Sequence, residues 1–336
     1  MGAGEDQAVT NDRGAAKPQG TGEARIGIDL GGTKIEAILL GGAGEVLERR
    51  RVPSPRGNYE ATLDAVAVLV RQLEEALATR QGDPARRLSI GVGIPGAISP
   101  ATGLVKNANS TWLIGKPLDR DLEQRLARPV RVANDANCFA VSEAVDGAGA
   151  GARLVFGVIL GTGVGGGIAI EGRTLLGANA IAGEWGHNPL PWPRVGELEG
   201  RRCYCGREGC IETFLSGPAL EADYRRTSGH PMAAAEIAKA AADGEAQAEA
   251  VMARYEERLA RGLAHVINLL DPEVIVLGGG LSNIARLYEN VARIWGRFVF
   301  SDRVDTRLLP PLHGDSSGVR GAAWLWPPGS DDGDPD

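Results

Sequence analysis

The sequence has no excess of positive charge. Its 336 residues include 36 lysines and arginines against 43 aspartates and glutamates, which gives a formal net charge of −7. Proteins that bind nucleic acid usually carry a basic balance or a basic patch, so this composition argues against a nucleic-acid partner. It does not argue against a small anionic ligand that is held by local hydrogen-bond donors.

The chain also lacks a hydrophobic run suited to crossing a membrane. One long uncharged run, residues 154–170, has 17 residues and includes six glycines. A membrane helix needs roughly 20 apolar residues, so we expect no membrane partner. The first 24 residues are polar and glycine-rich, without the apolar segment of a signal peptide. We therefore predict a disordered tail over residues 1–24 and a cytoplasmic location.

Cysteine is scarce and unevenly placed. Three of the four cysteines lie in "CYCGREGC", residues 203–210. A reducing compartment disfavours disulfides, so this cluster predicts a metal site. Together with His187, the cysteines Cys203, Cys205 and Cys210 would form a closed four-ligand set typical of structural zinc. Three reduced cysteines in a loop are the alternative, because this spacing is not a common finger pattern. Cys138 lies in an apolar segment and is expected in the core.

Two segments repeat one pattern. Both "IGIDLGGTKIEAILL" and "LVFGVILGTGVGGGIAIEG" consist of an apolar β-rich run, a corner of glycine and threonine, and a second β-rich run. Each predicts a strand, a tight turn and an antiparallel return strand. Helical patterns fall between and after these segments, at residues 59–79, 119–126, from Asp135 onward, and between residues 217 and 270. The chain length suggests two domains at roughly 150 residues each, so we predict two α/β lobes that face a cleft.

The glycine corners predict phosphate binding. Glycine lets backbone N–H groups approach phosphate oxygens, and Thr33 and Thr162 can add hydroxyl donors. Asp29 would hold Mg²⁺ through water, because a carboxylate repels phosphate and magnesium keeps several waters. A third corner, residues 278–280, precedes a predicted helix whose N-terminus would favour negative groups, and its glycines would also suit a flat adenine or ribose. Ordinary glycine-rich hairpins are the alternative.

One corner contains a match to the dinucleotide-binding pattern. Gly161, Gly163 and Gly166 fit G-x-G-x-x-G after a strand. That pattern binds a dinucleotide only where a helix follows, and here "GIAIEG" predicts a strand. The sequence therefore argues against NAD.

The segment "VANDANCFA" places Asp135 at a strand end, before a helix. Asp135 is either a helix N-cap or a general base that takes a proton from an attacking hydroxyl. Phosphoryl transfer needs positioning, electrostatic stabilisation and one such carboxylate near the nucleophile. The loop "KNANSTWL", residues 106–113, offers donors and acceptors for hydroxyl groups, although a polar turn explains it equally well.

Taken together, these motifs resemble the bacterial sugar kinases of the ROK family (repressors, open reading frames and kinases). The matching motifs are "DLGGTK", "GIPG", "NDAN", "GTGVGGG", "GEWGH" and "CYCGREGCIE", and they extend from residue 25 to about residue 326. "VKNANSTWL", "NDANCFAVSEAVDGA", "AGEWGHNPLPW" and "HGDSSGVRGAAWLWP" are most similar to the fructokinase (mannofructokinase) branch. In "GTGVGGG", Val164 is bulkier and Gly166 smaller than expected in that branch.

The resemblance implies an α/β fold of the two-lobed actin/hexokinase type (ribonuclease-H-like), an ATPase fold with a central cleft. The expected first lobe comprises residues 25–133 and 316–327, with the last helix packed back on it. The expected second lobe comprises residues 134–315 and includes a zinc-binding loop at 184–212. Residues 328–336 are expected to form a second disordered tail.

The resemblance also assigns roles to individual residues. Asp135 is the implied general base. The implied sugar contacts are Asn109, Asn134, Glu184, His187 and Glu212. The implied contacts to ATP and Mg²⁺ are Asp29, Gly31, Gly32, Thr33, Lys34, Gly161, Thr162, Gly163, Gly279 and Gly280. The implied ligands and partners are Mg-ATP, Mg²⁺, a structural Zn²⁺, a hexose and a second copy of the chain. Lys34 is also compatible with a position in solvent.

The expected activity is ATP-dependent phosphorylation of D-fructose to fructose 6-phosphate, and also of mannose. The alternative within the family is a glucokinase or an N-acetylhexosamine kinase. A sugar-responsive regulator without catalysis is a more distant alternative, since a DNA-binding domain of roughly 60 residues would have to precede the kinase fold, and 24 residues precede Arg25. A filament-forming or chaperone-type ATPase would not need the His/Cys cluster.

Overall fold

The structure is a computed structural model that describes residues 23–81 and 88–327. The tails predicted at residues 1–24 and 328–336 therefore lie almost wholly outside the described residues. The strands are β1 (Arg25–Leu30), β2 (Lys34–Leu40), β3 (Val46–Pro53), β4 (Ser89–Ile94), β5 (Ala97–Ile98), β6 (Val105–Lys106), β7 (Val130–Asn134), β8 (Leu154–Leu160), β9 (Val164–Ile170), β10 (Arg173–Thr174), β11 (Val274–Gly278) and β12 (Arg307–Leu309). The α-helices are α1 (Tyr59–Gln81), α2 (Leu118–Leu126), α3 (Asp135–Val145), α4 (Glu212–Leu215), α5 (Gly217–Ser228), α6 (Ala234–Ala242), α7 (Ala246–Leu270), α8 (Arg286–Trp295) and α9 (Ser317–Ala323).

Two five-stranded mixed sheets have the same strand order. The first runs β3-β2-β1-β4-β7 and the second runs β10-β9-β8-β11-β12. In each sheet an antiparallel hairpin, β1–β2 or β8–β9, is extended on one side by two parallel strands. The two hairpins predicted from the repeated pattern are therefore confirmed, and each starts an equivalent sheet.

Each sheet packs against its own helices. The apolar residues of β1, including Ile26 and Ile28, are fully buried together with Val66 and Val70 of α1. The second sheet packs against α5 to α8, whose apolar faces form a separate core. Burial of these apolar faces is the main favourable term in their folding. Among the helices described, none is long and apolar enough to cross a membrane.

Helices α3 and α9 lie between the two sheets, and glycines allow the close packing. A Cβ at Gly27 of β1 would lie 2.1 Å from the carbonyl oxygen of Val319 in α9. A Cβ at Gly321 of α9 would lie 1.6 Å from the carbonyl oxygen of Cys138 in α3. The last helix therefore packs on the first sheet, as predicted, and contacts α3 directly. The lobe boundaries at residues 25–133 with 316–327, and at 134–315, stay a prediction.

Candidate active site

The first glycine corner, residues 31–33, connects β1 to β2. Ser54, just beyond β3, supports it from one side. The Ser54 backbone N–H donates to the Thr33 carbonyl at 3.0 Å, and its hydroxyl donates to the Gly31 carbonyl at 2.6 Å. The predicted corner residues Gly31, Gly32 and Thr33 thus lie together at the carboxyl end of β1, where ligands collect in open α/β sheets.

Asp29 lies beside this corner, and its neighbours raise the pKa of its carboxyl to about 6. Burial is the largest cause, and the negative charges of Asp135 and Glu36 add to it, while Lys34 and Arg51 act in the opposite direction. Because β1 and β7 both pair in parallel with β4, the first corner and the start of α3 lie at the same edge of the first sheet.

Two basic side chains approach the first corner, and one of them was missed in the sequence. Lys34 is half exposed, and its Nζ lies 3.5 Å from Oε2 of Glu36. Arg56, in the turn after β3, donates from Nε to the Gly32 carbonyl and from Nη2 to the Thr33 hydroxyl oxygen, both at 3.0 Å. The sequence signal that could have identified Arg56 was its position three residues after the end of β3, the strand that pairs with β2.

The second glycine corner, residues 161–163, connects β8 to β9. The Gly161 N–H donates to the Gly163 carbonyl at 3.0 Å. A Cβ at Gly163 would lie 2.6 Å from Oε2 of Glu212, which also accepts the Val164 N–H at 2.9 Å. Glu212 therefore lies against this corner, and Thr162 at its tip is exposed.

The third glycine corner, residues 278–280, contacts the second. A Cβ at Gly279 would lie 2.5 Å from the Leu160 carbonyl oxygen, and Gly279 has a φ of +78° that favours glycine. The prediction of a helix directly after this corner is wrong, because a 3₁₀ turn, Gly280–Asn283, comes first and α8 begins at Arg286. The expected anion site at a helix N-terminus is therefore absent from this position.

The N-cap of α3 is Asn134, so the N-cap interpretation of Asp135 is wrong. The Ala136 N–H donates to Oδ1 of Asn134 at 2.8 Å, and Asn134 has extended backbone angles. Asp135 is the first residue of the helix, and its own Oδ1 also accepts the Ala136 N–H at 2.8 Å. The Asn134 side chain also hydrogen-bonds the Asp135 carboxylate, and solvent reaches the Asp135 side chain.

The pKa of Asp135 is also raised to about 6. Desolvation by the surrounding protein is the largest cause, although water can still enter from the cleft. The negative charge of Glu184 raises the pKa further, while the hydrogen bond from Ala136 lowers it. Asp135 is thus a carboxylate at neutral pH that is close to taking up a proton, which suits a general base.

The two asparagines predicted to contact sugar are attached to one loop. The Asn134 side-chain amide donates to the Gly96 carbonyl at 3.2 Å. The Asn109 backbone N–H donates to the neighbouring Pro95 carbonyl at 3.1 Å, and the Asn109 side chain is exposed. The "GIPG" loop after β4 therefore positions Asn109 beside the start of α3.

The "GEWGH" segment packs on β9, which places Glu184 and His187. Trp185 donates from Nε1 to the Gly165 carbonyl at 3.0 Å. A Cβ at Gly166 would lie 2.6 Å from the Gly183 carbonyl oxygen, so the small residue that departs from the family pattern is required by this packing. Glu184 is exposed, and its negative charge contributes to the raised pKa of Asp135.

The four predicted metal ligands come together. The ligand atoms of His187, Cys203, Cys205 and Cys210 all lie within 4.8 Å of one another. Nδ1 of His187 lies 3.5 Å from the Cys203 sulfur, and its Nε2 lies 3.0 Å from the hydroxyl of Tyr204. One histidine nitrogen thus faces the sulfurs and the other faces away from them. Sequence reasoning did not single out Tyr204. Cys138 is buried in the core, as predicted.

Comparison with known proteins agrees with this fold. Residues 25–328 match the model of the ROK family. An N-acetyl-D-glucosamine kinase of Vibrio parahaemolyticus is 41% identical over 308 residues, which cover 89% of this chain and 98% of that protein. The crystal structure of a ROK hexokinase from Thermus thermophilus is similar with a TM-score of 0.77 and 30% identity, covering 90% of this chain and 97% of that one. A ROK family glucokinase from Streptomyces griseus, solved in complex with glucose and AMPPNP, has a TM-score of 0.69 and 28% identity, covering 90% and 98%.

These likenesses bear on two expectations. The actin/hexokinase-like α/β fold is confirmed. The assignment to the fructokinase branch is not supported, since the curated relative named above is an N-acetyl-D-glucosamine kinase. With a family model that matches nearly the whole described chain, and a relative of this identity and coverage, the chain belongs to the ROK family.

Proposed function

We propose that this protein is an ATP-dependent hexose kinase whose first candidate substrate is N-acetyl-D-glucosamine. The observation that carries the kinase proposal is the solvent-accessible carboxylate of Asp135, with its raised pKa, close to Asp29 and the first corner. The 41% identity to an N-acetyl-D-glucosamine kinase supports the substrate. Fructose, the first choice from sequence motifs, becomes the second candidate.

In the proposed reaction, Asp135 accepts the proton of a sugar hydroxyl as that oxygen attacks the terminal phosphorus of ATP. The bond between this phosphorus and the bridging oxygen breaks, and ADP leaves. The protein contributes chiefly positioning and electrostatic stabilisation to such a transfer. Backbone N–H groups of the first and second corners would bind phosphate oxygens, and Asp29 would hold Mg²⁺ through water. The third corner, with Gly279 and Gly280, would contact the nucleoside.

The proposed sugar contacts are Asn109, Glu184, His187 and Glu212, with a smaller contribution from Asn134. A carboxylate can accept hydrogen bonds from two adjacent sugar hydroxyls. Asn134 already uses its oxygen as a helix cap and one amide hydrogen on Gly96. Its side chain also hydrogen-bonds the Asp135 carboxylate, so its main effect would be to hold Asp135 in place.

The Cys₃His group fits zinc in the kind and number of its ligands. We infer that a zinc ion there has a structural role: it would fix the loop that presents Glu184, His187 and Glu212 to the sugar. His187 would bind the metal through Nδ1, since that nitrogen faces the Cys203 sulfur. Its Nε2 would remain for a hydroxyl group.

One observation keeps fructose as a second candidate substrate. The loop "KNANSTWL" resembles the fructokinase branch, and it carries Asn109 at the mouth of the site. The loop is held by Trp112, whose Nε1 donates to the Thr62 hydroxyl at 3.2 Å. The shape of this loop would decide which sugar substituents fit.

The test is a coupled ADP-release assay with Mg-ATP against N-acetylglucosamine, fructose, mannose and glucose, on the wild type and on Asp135→Asn. We expect hexose-dependent turnover that falls by at least about a hundredfold in the variant, the lower end for loss of a general base. The sugar with the highest kcat/KM identifies the substrate. Absence of turnover on every hexose would contradict the kinase proposal and favour a regulator.

A further inference from the structure

Arg56 has a place at the first corner that no motif assigned to it. Its Nε and Nη2 donate to the Gly32 carbonyl and to the Thr33 hydroxyl oxygen, which spans the corner with one guanidinium group. The side chain is otherwise exposed. The turn that carries it is held against the corner by Ser54. The position of Arg56 is therefore set by the backbone as well as by its own hydrogen bonds.

The charge of Arg56 is not compensated by an acidic side chain in the described residues. The other basic groups near the corner, Lys34, Arg49 and Arg51, all lie within 4.0 Å of the buried carboxylate of Glu36. The two hydrogen bonds of Arg56 go instead to neutral oxygens. An arginine has five N–H donors, so three remain for an anionic ligand. Arg56 is thus the cation at this corner best suited to bind phosphate.

Arg56 also determines what the Thr33 hydroxyl can do. Because the Thr33 oxygen accepts a hydrogen bond from Arg56, its own hydrogen is free to donate to another group. Thr33 is exposed at the tip of the corner, so a phosphate oxygen at the corner would meet a hydroxyl donor and a guanidinium donor together.

The corner lies at the end of the site where transfer would occur. β1 ends at this corner and β7 ends at Asn134, directly before Asp135; both strands pair in parallel with β4, so the corner and Asp135 lie at the same edge of the first sheet. The phosphate nearest to the base is the one transferred, so the terminal phosphate belongs next to this corner. We propose that Arg56 binds the terminal phosphate of ATP and orients the Thr33 hydroxyl toward it. This inference rests on the proposed kinase function.

The test is calorimetric binding of Mg-AMPPNP and of Mg-ADP, without sugar, to the wild type, Arg56→Gln and Arg56→Lys. We expect Arg56→Gln to weaken the binding of Mg-AMPPNP by about tenfold and the binding of Mg-ADP by less than about threefold, because only Mg-AMPPNP has the terminal phosphate. Arg56→Lys should recover part of the loss, since it keeps the charge but not the paired hydrogen bonds. In the double variant Arg56→Gln with Thr33→Val, the loss of binding free energy for Mg-AMPPNP should be smaller than the sum of the losses in the two single variants.

Two controls separate binding from support of the corner. Arg50→Gln removes a partly exposed arginine of β3 that pairs with Glu48, and it should leave both affinities unchanged. Ser54→Ala removes an uncharged support of the same corner and reports the size of a purely structural effect. The proposal would be overturned if Arg56→Gln, like Ser54→Ala, weakened the binding of Mg-AMPPNP and of Mg-ADP equally. It would also be overturned if Arg56→Gln bound both nucleotides with wild-type affinity.

The two proposals can fail separately. A wild type that binds Mg-AMPPNP but phosphorylates no hexose would refute the kinase function, while the selective loss in Arg56→Gln would still support a terminal-phosphate contact. A wild type that binds neither nucleotide would overturn both. In the active enzyme, Arg56→Gln should raise the KM for ATP and lower kcat, and leave the KM for the sugar unchanged.

Discussion

At the scale of single residues, the pKa values of Asp29 and Asp135 predict how activity depends on pH. Both values are raised to about 6, chiefly by desolvation. Asp135 must be deprotonated to accept a proton, and Asp29 must be deprotonated to attract Mg²⁺. The value of kcat/KM should therefore fall as pH decreases through about 6, with apparent pKa values that belong to the pair. Steady-state rates between about pH 5 and pH 8 check this.

Glu184→Gln provides a direct check on the cause. Glu184 contributes to the raised pKa of Asp135 through its negative charge. When Glu184 is neutralised, the fall of kcat on acidification should move to lower pH, independently of any effect of the substitution on the KM for sugar. An acid limb that stays in place would show that Glu184 does not act on the base.

Residue roles were the part of the site least accessible from sequence. "ND" before a helix predicts a cap and a carboxylate at a strand end, but Asn and Asp are both good N-caps. Only the structure assigns the cap to Asn134, which leaves Asp135 open to the cleft. Arg56 and Tyr204 were missed because each contacts a residue far from it in the chain, and sequence spacing does not show which way a side chain points.

At the scale of elements, hydrophobic periodicity and glycine corners predicted most of the sheet framework. The helix predicted at residues 59–79 corresponds to α1, and its leucines Leu63 and Leu73 are buried. The turn after β11 was not predicted correctly, since a 3₁₀ turn and an α-helix have similar short sequences. The close contact of α3 with α9 also went unpredicted, because about half of the chain separates the two helices.

That contact makes Gly321 a sensitive position. Its Cβ would lie 1.6 Å from a backbone oxygen of α3, which cannot rotate away. Gly321→Ala should therefore lower the free energy of unfolding by about 3 kcal/mol, near the upper end for overpacking. Gly318→Ala in the same helix is the matched control, since its Cβ would meet no atom within 4 Å. Urea denaturation of both variants tests this, and equal stabilities would contradict the packing argument.

The Cys/His loop gives a second prediction at this scale. If the cluster binds zinc, Cys205→Ser should lose the metal, lower the melting temperature and raise the KM for sugar, because Glu212 lies two residues after Cys210. The control is Cys138→Ala, which removes a cysteine that lies outside the cluster; this variant should retain the zinc ion. Metal analysis by mass spectrometry and thermal melting are the measurements. A zinc-free protein with full activity and melting temperature would refute the structural role.

At the scale of the whole molecule, two equivalent sheets supply the parts of the proposed site. Each contributes a hairpin corner, and α3 and α9 pack between them. The repeated strand–corner–strand pattern was visible in the sequence, whereas the groups that join the sheets were not. Asp146, just after α3, accepts hydrogen bonds from Trp324 Nε1 and His313 Nε2, both at 3.0 Å, and pairs with Arg320. Arg320 in turn donates to the Gly44 carbonyl at 2.7 Å.

This network predicts a large effect of Asp146 on stability. Asp146→Ala leaves the buried Arg320 without its carboxylate, so the free energy of unfolding at pH 7 should fall by about 3–5 kcal/mol. Asp146→Asn should cost less, because the amide oxygen can still accept the bond from Trp324. Burial raises the Asp146 pKa, but hydrogen bonds from His313 and Arg320 and the charge of Arg320 outweigh it, so the pKa lies below its ordinary value.

The pH dependence distinguishes this network from simple packing. A carboxyl with a lowered folded-state pKa stabilises the protein above its unfolded pKa of about 4, and the contribution is lost as pH falls below that value. The difference in unfolding free energy between wild type and Asp146→Asn should therefore shrink as pH is lowered from about 5 to about 3. Urea denaturation across this range measures it. A difference that persists unchanged in acid would show that Asp146 acts through its shape and not through its charge.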